Sequence, residues 1–127
     1  MSHTAIQTPN APAAVGPYSQ AIRAGNFVFC SGQLPLVPAT GKIIEGDTAA
    51  QAEQSLKNLG AILKAAGLDY KHVVRATVYL TDLKDFQSVN AVYAKFFSAP
   101  FPARVCFEAK ALPLGAKVEI DAIAVGA

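Results

Sequence analysis

From Val118 to Val125 the chain alternates two rows of residues. Val118, Ile120, Ala122 and Ala124 form one row, and Glu119, Asp121, Ile123 and Val125 the other. A period of two is the mark of a β-strand, whose side chains point to opposite faces in turn. Residues 103–109 repeat the pattern, with Ala103, Val105, Phe107 and Ala109 alternating with Arg104, Cys106 and Glu108. A strand with an apolar row needs a second layer to cover it. Arg104 and Cys106 share a face, about 7 Å apart along their strand. If the apolar rows pack on helices, Arg104, Cys106 and Glu119 all point to the other face of a sheet. A guanidinium, a thiol and a carboxylate there make a candidate site for a small carboxylate. Each residue also has a plainer reading. An Arg and a Glu on adjacent strands form cross-strand ion pairs, and a lone Cys commonly packs as a small hydrophobe. The residue pattern leaves both readings open.

The rest of the chain supplies the other elements. Residues 3–8 read as a short extended segment, broken by Pro9 and Pro12. Residues 21–24 and 27–31 read as strands joined through Gly25-Asn26, a hairpin signal. Residues 36–46, with Pro38 and Gly41, read as a surface loop. Asp47-Thr48 offers an N-cap, and Thr48 with Gln51 fits a capping box. Ala52, Leu56, Leu59, Leu63 and Ala66 then recur at helical spacing, with Gln51, Glu53, Lys57 and Lys64 opposite and Gly67 as the stop. Residues 73–80 form a strand with Val74, Ala76, Val78 and Leu80 as its apolar row. A second helix begins at Thr81-Asp82, carries Phe86, Val89, Tyr93 and Phe96 or Phe97 as its stripe and Asn90 at its edge, and ends before Pro100. The order predicts an α+β fold, a mixed six-stranded sheet with two helices packed on one face. Val73, Tyr79, Ile123 and Val125 fall on the uncovered face, and other subunits are its natural cover.

Composition narrows the function. The 127 residues read as one domain, 1–127. They are 52% hydrophobic and only 16% charged, apolar enough to predict a homo-oligomer. The net charge is +2 without a Lys/Arg run, which makes the electrostatic case for nucleic acid weak. No apolar run reaches the roughly 18 residues of a membrane span, and no signal peptide is read. Cys30 and Cys106 read as reduced thiols of a cytoplasmic protein. His3 and His72 are the only histidines and have no zinc-like spacing with the cysteines, so no metal site is expected. No Ser/His/Asp set and no phosphate-binding glycine loop is present. Tyr18, after Gly16-Pro17, reads either as a packing anchor or as a phenol at a cleft.

Longer motifs carry a resemblance. Pro102-Ala103-Arg104-Val105-Cys106-Phe107, Leu112-Pro113 and Val118-Glu119-Ile120 resemble the signature of the Rid family of reactive intermediate deaminases, also called YjgF-like. So do residues 12–21, residues 29–35, Pro38-Ala39-Thr40-Gly41, and Gln51, Glu53-Gln54 and Leu56-Lys57-Asn58-Leu59. The likeness spans nearly the whole chain. Cys30 stands where the family commonly has an aliphatic residue, and Val37 where a polar one is expected.

The resemblance implies a chorismate-mutase-like fold and a homotrimer with clefts between subunits. It implies hydrolysis of reactive 2-imino acids (2-iminopropanoate, 2-iminobutanoate and their enamine tautomers) to 2-keto acids and ammonia, without a cofactor. Such imines arise when pyridoxal-phosphate dehydratases act on serine or threonine, so the role is control of metabolite damage. Arg104 matches the family's substrate-binding arginine, whose fork can hold a carboxylate bidentately. Glu119 matches the glutamate proposed to orient water or relay a proton. Cys106 matches the family cysteine, expected to act through its backbone amide. Tyr18, Ser31 and Gly32 match cleft-lining positions that would come from a neighbouring subunit, and Asn90 is a further substrate-binding candidate. Three other readings compete. One is a non-enzymatic binder or sensor of 2-keto acids. Another is the endoribonuclease and translation-inhibitor activity attributed to some relatives, which no histidine pair supports here. The third is a holdase-type chaperone, for which no residue signal is seen.

Overall fold

The computed structural model describes residues 2–126. Strands β1 (Thr4–Ile6), β2 (Ala21–Ala24) and β3 (Phe27–Gln33) open the chain. The β2–β3 hairpin turns at Gly25, whose φ of 59° suits a residue without a Cβ. The expected surface loop folds partly into a small hairpin of β4 (Leu36–Val37) and β5 (Lys42–Ile43). Helix α1 (Thr48–Ala65), strand β6 (Val73–Leu80), helix α2 (Phe86–Tyr93), strand β7 (Ala103–Glu108) and strand β8 (Val118–Val125) follow. The fold is α+β, with a six-stranded sheet in the order β1-β2-β3-β8-β6-β7. Among the described residues only β6 and β7 pair in parallel, so the sheet is mixed.

Both helices cover one face. Ala52, Leu56, Leu59 and Leu63 of α1 are fully buried against Val28, Val78, Val118 and Ile120. The start of α1 differs from the expected capping box. Asp47 is the cap, accepting from Ala50 N at 2.9 Å. Thr48 donates instead to Asp85 Oδ2 (2.8 Å), and Gln51, expected on the wet side, is buried and accepts from Lys117 N (2.9 Å). Tertiary partners thus took both box residues. The helix ends as expected at Gly67, φ 79°, with Gly67 N bonded to Lys64 O (3.0 Å) and Leu68 N to Leu63 O (2.8 Å), a Schellman closure.

Two further expectations are corrected. In β6 the apolar row starts at Val73, not Val74. A register shift between Val73 and Arg75 makes Val74 the extra residue, so Val73 is buried while Val74 stays 46% exposed. The second helix starts later than Thr81-Asp82. Asp82 caps a 3₁₀ turn, Leu83–Asp85, and the α-helix proper begins at Phe86.

Among the described residues no helix lies on the other sheet face. Phe27, Phe29, Val105 and Phe107 are 39–48% exposed there, with Tyr79, Ile123 and Val125 half-buried among them.

Candidate functional site

Strand register decides where the candidate residues go. β6 lies between β7 and β8, so Arg104 and Glu119 are not on adjacent strands. Arg104 pairs with Ala76 and Cys106 with Val78, and those partners face the helices. Glu119 pairs with Tyr79, which in turn pairs with Phe107 on the bare face. Arg104 and Cys106 therefore lie on the helix face and Glu119 on the opposite one. The expectation that all three share one face fails within a single chain. It assumed that the more apolar row of β7, Val105 and Phe107, would be the one against the helices. That row faces out. A cross-strand ion pair between Arg104 and Glu119 is excluded by the same geometry.

The candidates fall into two clusters. The first surrounds Arg104, where α2 meets the edge strand β7. Arg104 Nη1 donates to Asn90 Oδ1 at 2.8 Å. Its guanidinium lies over the rings of Tyr93 (4.9 Å from Cζ to the centroid) and Phe86 (5.5 Å). Cys106 packs beside the core on the same strand row. Burial raises its thiol pKa, and the nearby Arg104 charge only partly offsets this, so the sulfur stays protonated at neutral pH. Cys30 is buried in the core with its thiol pushed up to about 12, by burial and then by Asp121. Both cysteines are free.

The second cluster lines a cavity of about 790 Å³ that contains Tyr18, Ser31, Gly32 and Glu119. The backbone of β3 shifts register between Cys30 and Gln33, and this bulge brings Ser31 and Gly32 to the cavity wall. Ser31 is held there by its hydroxyl, which donates to Ser19 O (2.6 Å), and by its N–H, which donates to Gln20 O (2.9 Å). A Cβ on Gly32 would overlap the Glu119 carboxylate, so glycine is what lets that carboxylate lie against the bulge. Tyr18 is half exposed at the mouth. Burial, with Asp121 second, raises the Glu119 pKa above the usual 4.5. Such a carboxylate takes up a proton more readily than a solvated one, which suits proton transfer.

Several contributors were read only as packing, or not singled out, in the sequence. Phe86 and Tyr93 sat in the apolar stripe of the second helix, yet their ring faces meet Arg104. Gln20 is buried and binds the N-terminal segment through Thr8 N, Thr8 O, Ala11 O and Pro12 O, which positions Tyr18 and Ser19. Val15 and Leu114, 87% and 69% exposed, form an apolar rim to the Glu119 cavity. Periodicity carries no signal for these, because each acts through a contact distant in sequence. His72 lies away from both clusters, its Nδ1 accepting from Asp69 N (3.0 Å). Among the described residues no group of acidic, histidine and cysteine side chains is placed to hold a metal.

Comparison with known proteins follows the same lines. Residues 8–126 match the family described as Endoribonuclease L-PSP. The chain is 59% identical over 118 residues to "RutC family protein y4sK" of Sinorhizobium fredii, covering 93% of this chain and 94% of that one. It is 52% identical over 120 residues to a Bos taurus protein named 2-iminobutanoate/2-iminopropanoate deaminase, covering 94% and 88%. The crystal structure of E. coli TdcF with bound serine is similar at a TM-score of 0.93 and 45% identity, covering 98% of this chain and 99% of that one. The chain belongs to the Endoribonuclease L-PSP family, the family whose motifs it resembles under the names Rid and YjgF-like.

Proposed function

We propose that the protein hydrolyses 2-imino acids to 2-keto acids and ammonia, in clefts between the subunits of a homotrimer. The observation that carries this reading is the separation of Arg104 from Glu119 on opposite faces of one sheet. A site that uses both residues needs two chains, and the exposed apolar face offers the surface on which copies can meet. Arg104, Asn90 and Cys106 come from one subunit. Tyr18, Ser31, Gly32 and Glu119 come from its neighbour.

In this reading Arg104 anchors the substrate carboxylate through the donors that Asn90 leaves free. The backbone amide of Cys106 and the wall at Ser31 and Gly32 orient the imine carbon. Glu119 accepts a proton from water as the oxygen adds to that carbon, forming a carbinolamine. The imine enters protonated; the same carboxyl returns the water proton to nitrogen, the C–N bond breaks and ammonia leaves, and the carbinolamine hydroxyl gives its own proton to the Glu119 carboxylate as its oxygen becomes the carbonyl of the 2-keto acid. Imines already hydrolyse in water, so positioning and charge stabilisation supply what is needed. The role is removal of reactive imines in the cytoplasm.

A non-enzymatic binder of small carboxylates would use Arg104 without Glu119, so Glu119→Gln separates the two readings by abolishing hydrolysis but not binding. RNA cleavage has less support. His72 is engaged with Asp69, and neither it nor His3 lines the Glu119 cavity.

The decisive experiment mixes two inactive variants. Arg104→Ala and Glu119→Gln are co-expressed, and imine hydrolysis is compared with each variant alone. A randomly mixed ring of three rebuilds about one site in four with both residues intact, so roughly a quarter of wild-type activity returns. No recovery in verified mixed oligomers would sink the inter-subunit cleft.

A further inference from the structure

Within the chain, the charge of Arg104 has no acidic counterpart among the described residues. Among the described residues none of the ion pairs includes Arg104, although its side chain is half-buried. A partly buried cation without a carboxylate needs another source of stabilisation. Helix α2 supplies it. Phe86, Asn90 and Tyr93 are spaced i, i+4 and i+7, so they share one face of the helix. Asn90 takes one guanidinium hydrogen, and two aromatic faces receive the rest of the cation.

Of the two rings, that of Tyr93 is the nearer and the more firmly held. Tyr93 is only 5% exposed and lies against Phe97, with ring centroids 4.5 Å apart. Phe97 in turn meets Tyr70 edge-on at 5.6 Å. Phe86 is 37% exposed and has more freedom. The Tyr93 hydroxyl is buried without a hydrogen-bond partner among the described residues, so hydrogen bonding within the chain does not explain this residue.

We propose that Tyr93 is a positioning residue for the carboxylate anchor, its ring face fixing the plane of the Arg104 guanidinium so that the fork is set before the ligand arrives. The proposal rests on the reading of Arg104 as that anchor. An aromatic face holds a cation without neutralising its charge, as an aspartate there would. The full charge therefore remains for an incoming carboxylate. The rotamer freedom of a long side chain is already spent, so less is lost on binding.

The test keeps the shape of the ring and changes its face. Tyr93 is replaced by phenylalanine and then by phenylalanines carrying one, three and five fluorines, which progressively remove the negative potential of the face. Each full-length oligomer is titrated with pyruvate as a non-reacting 2-keto acid, and imine hydrolysis is measured beside it. Tyr93→Phe, which keeps the ring and removes the hydroxyl, is the reference point of the series. The fluorinated series then weakens pyruvate binding step by step, by about tenfold at five fluorines, and KM rises in parallel while kcat changes little. A packing role alone would not follow the ring potential. Affinity flat across the series would overturn the proposal, and so would a wild type that binds no 2-keto acid. Wild type that binds pyruvate but does not hydrolyse imines would sink the deaminase reading and leave the affinity trend to decide the role of Tyr93.

Discussion

At the scale of single residues, environment separates the roles of groups whose chemistry is similar. Glu119 and Asp121 stand two apart on one face of β8. Asp121 accepts a hydrogen bond from the Tyr79 hydroxyl (2.8 Å), whereas Glu119 is pressed against the glycine bulge of β3. The pKa of Glu119 rises, by burial first and Asp121 second. Two consequences follow from that direction. Imine hydrolysis falls on acidification with a midpoint above the usual glutamate value of 4.5, read from the pH profile of wild-type kcat/KM. For stability the sign is opposite to that of a salt-bridged carboxylate. A raised folded-state pKa contributes stability that is full below the unfolded pKa and lost as pH rises through the folded one. Glu119→Gln is therefore more stable than wild type at neutral pH in urea unfolding, and the gap closes in acid. A gap that widens in acid would contradict the assigned direction. The carboxylate was legible in the sequence as a candidate. Its pKa shift was not, because burial by the bulge at Gly32 comes from another strand.

At the scale of elements, the β3–β4 connection ties the cavity wall to α1. Asn58 is 1% exposed in the middle of the helix. Its amide donates to Leu34 O (3.1 Å) and Leu36 O (2.9 Å), and its oxygen accepts from Gln54 Nε2 (2.9 Å). Leu34 and Leu36 line the Glu119 cavity. Asn58→Ala removes the side-chain donor from both carbonyls, of which Leu34 O keeps the bond from Leu36 N (2.8 Å), at a cost of about 1 to 2 kcal/mol. The expected result is a lower urea midpoint at fixed protein concentration, together with reduced hydrolysis. An unchanged midpoint would mean that the loop holds its shape without the helix. The amphipathic stripe of α1 was readable from spacing alone, since Ala52, Leu56, Leu59 and Leu63 are all fully buried. Asn58 and Gln51 were not readable as buried. Their burial depends on backbone groups of Leu34, Leu36 and Lys117, which the helix meets only in the folded chain.

At the scale of the whole molecule, the helix-free face sets the expected assembly. Phe27, Phe29 and Phe107 each leave nearly half of their surface in water. Covering that half of a phenylalanine contributes about 2 kcal/mol, so three of them together are a substantial drive to associate. Phe107→Asp places a charge in the same surface, two strands from Glu119. The expected outcome is a smaller species in sedimentation or light scattering, with hydrolysis lost although Arg104, Glu119 and Asn90 are intact. An assembly unchanged by the substitution would place the subunit contact on another face.

The sequence by itself determined the elements, most of their apolar faces and the set of chemically capable residues. Each rests on local periodicity or local residue chemistry, as in the α1 stripe and the alternation of β8. Within β7 it also determined that Arg104 and Cys106 share a face. Only the tertiary structure decided which face that is. Parity along a strand says who points together, and the register against neighbouring strands says where. In β7 the parallel pairing to β6 turns Arg104 and Cys106 toward α2 and leaves Val105 and Phe107 outside. Hydrophobicity alone pointed the other way, because an apolar row can be meant for a helix layer or for another surface. The insertion of β6 between β7 and β8 is likewise a long-range choice. It separates Arg104 from Glu119 by a strand, and the register across β6, Ala76 opposite Arg104 and Tyr79 opposite Glu119, puts them on opposite faces.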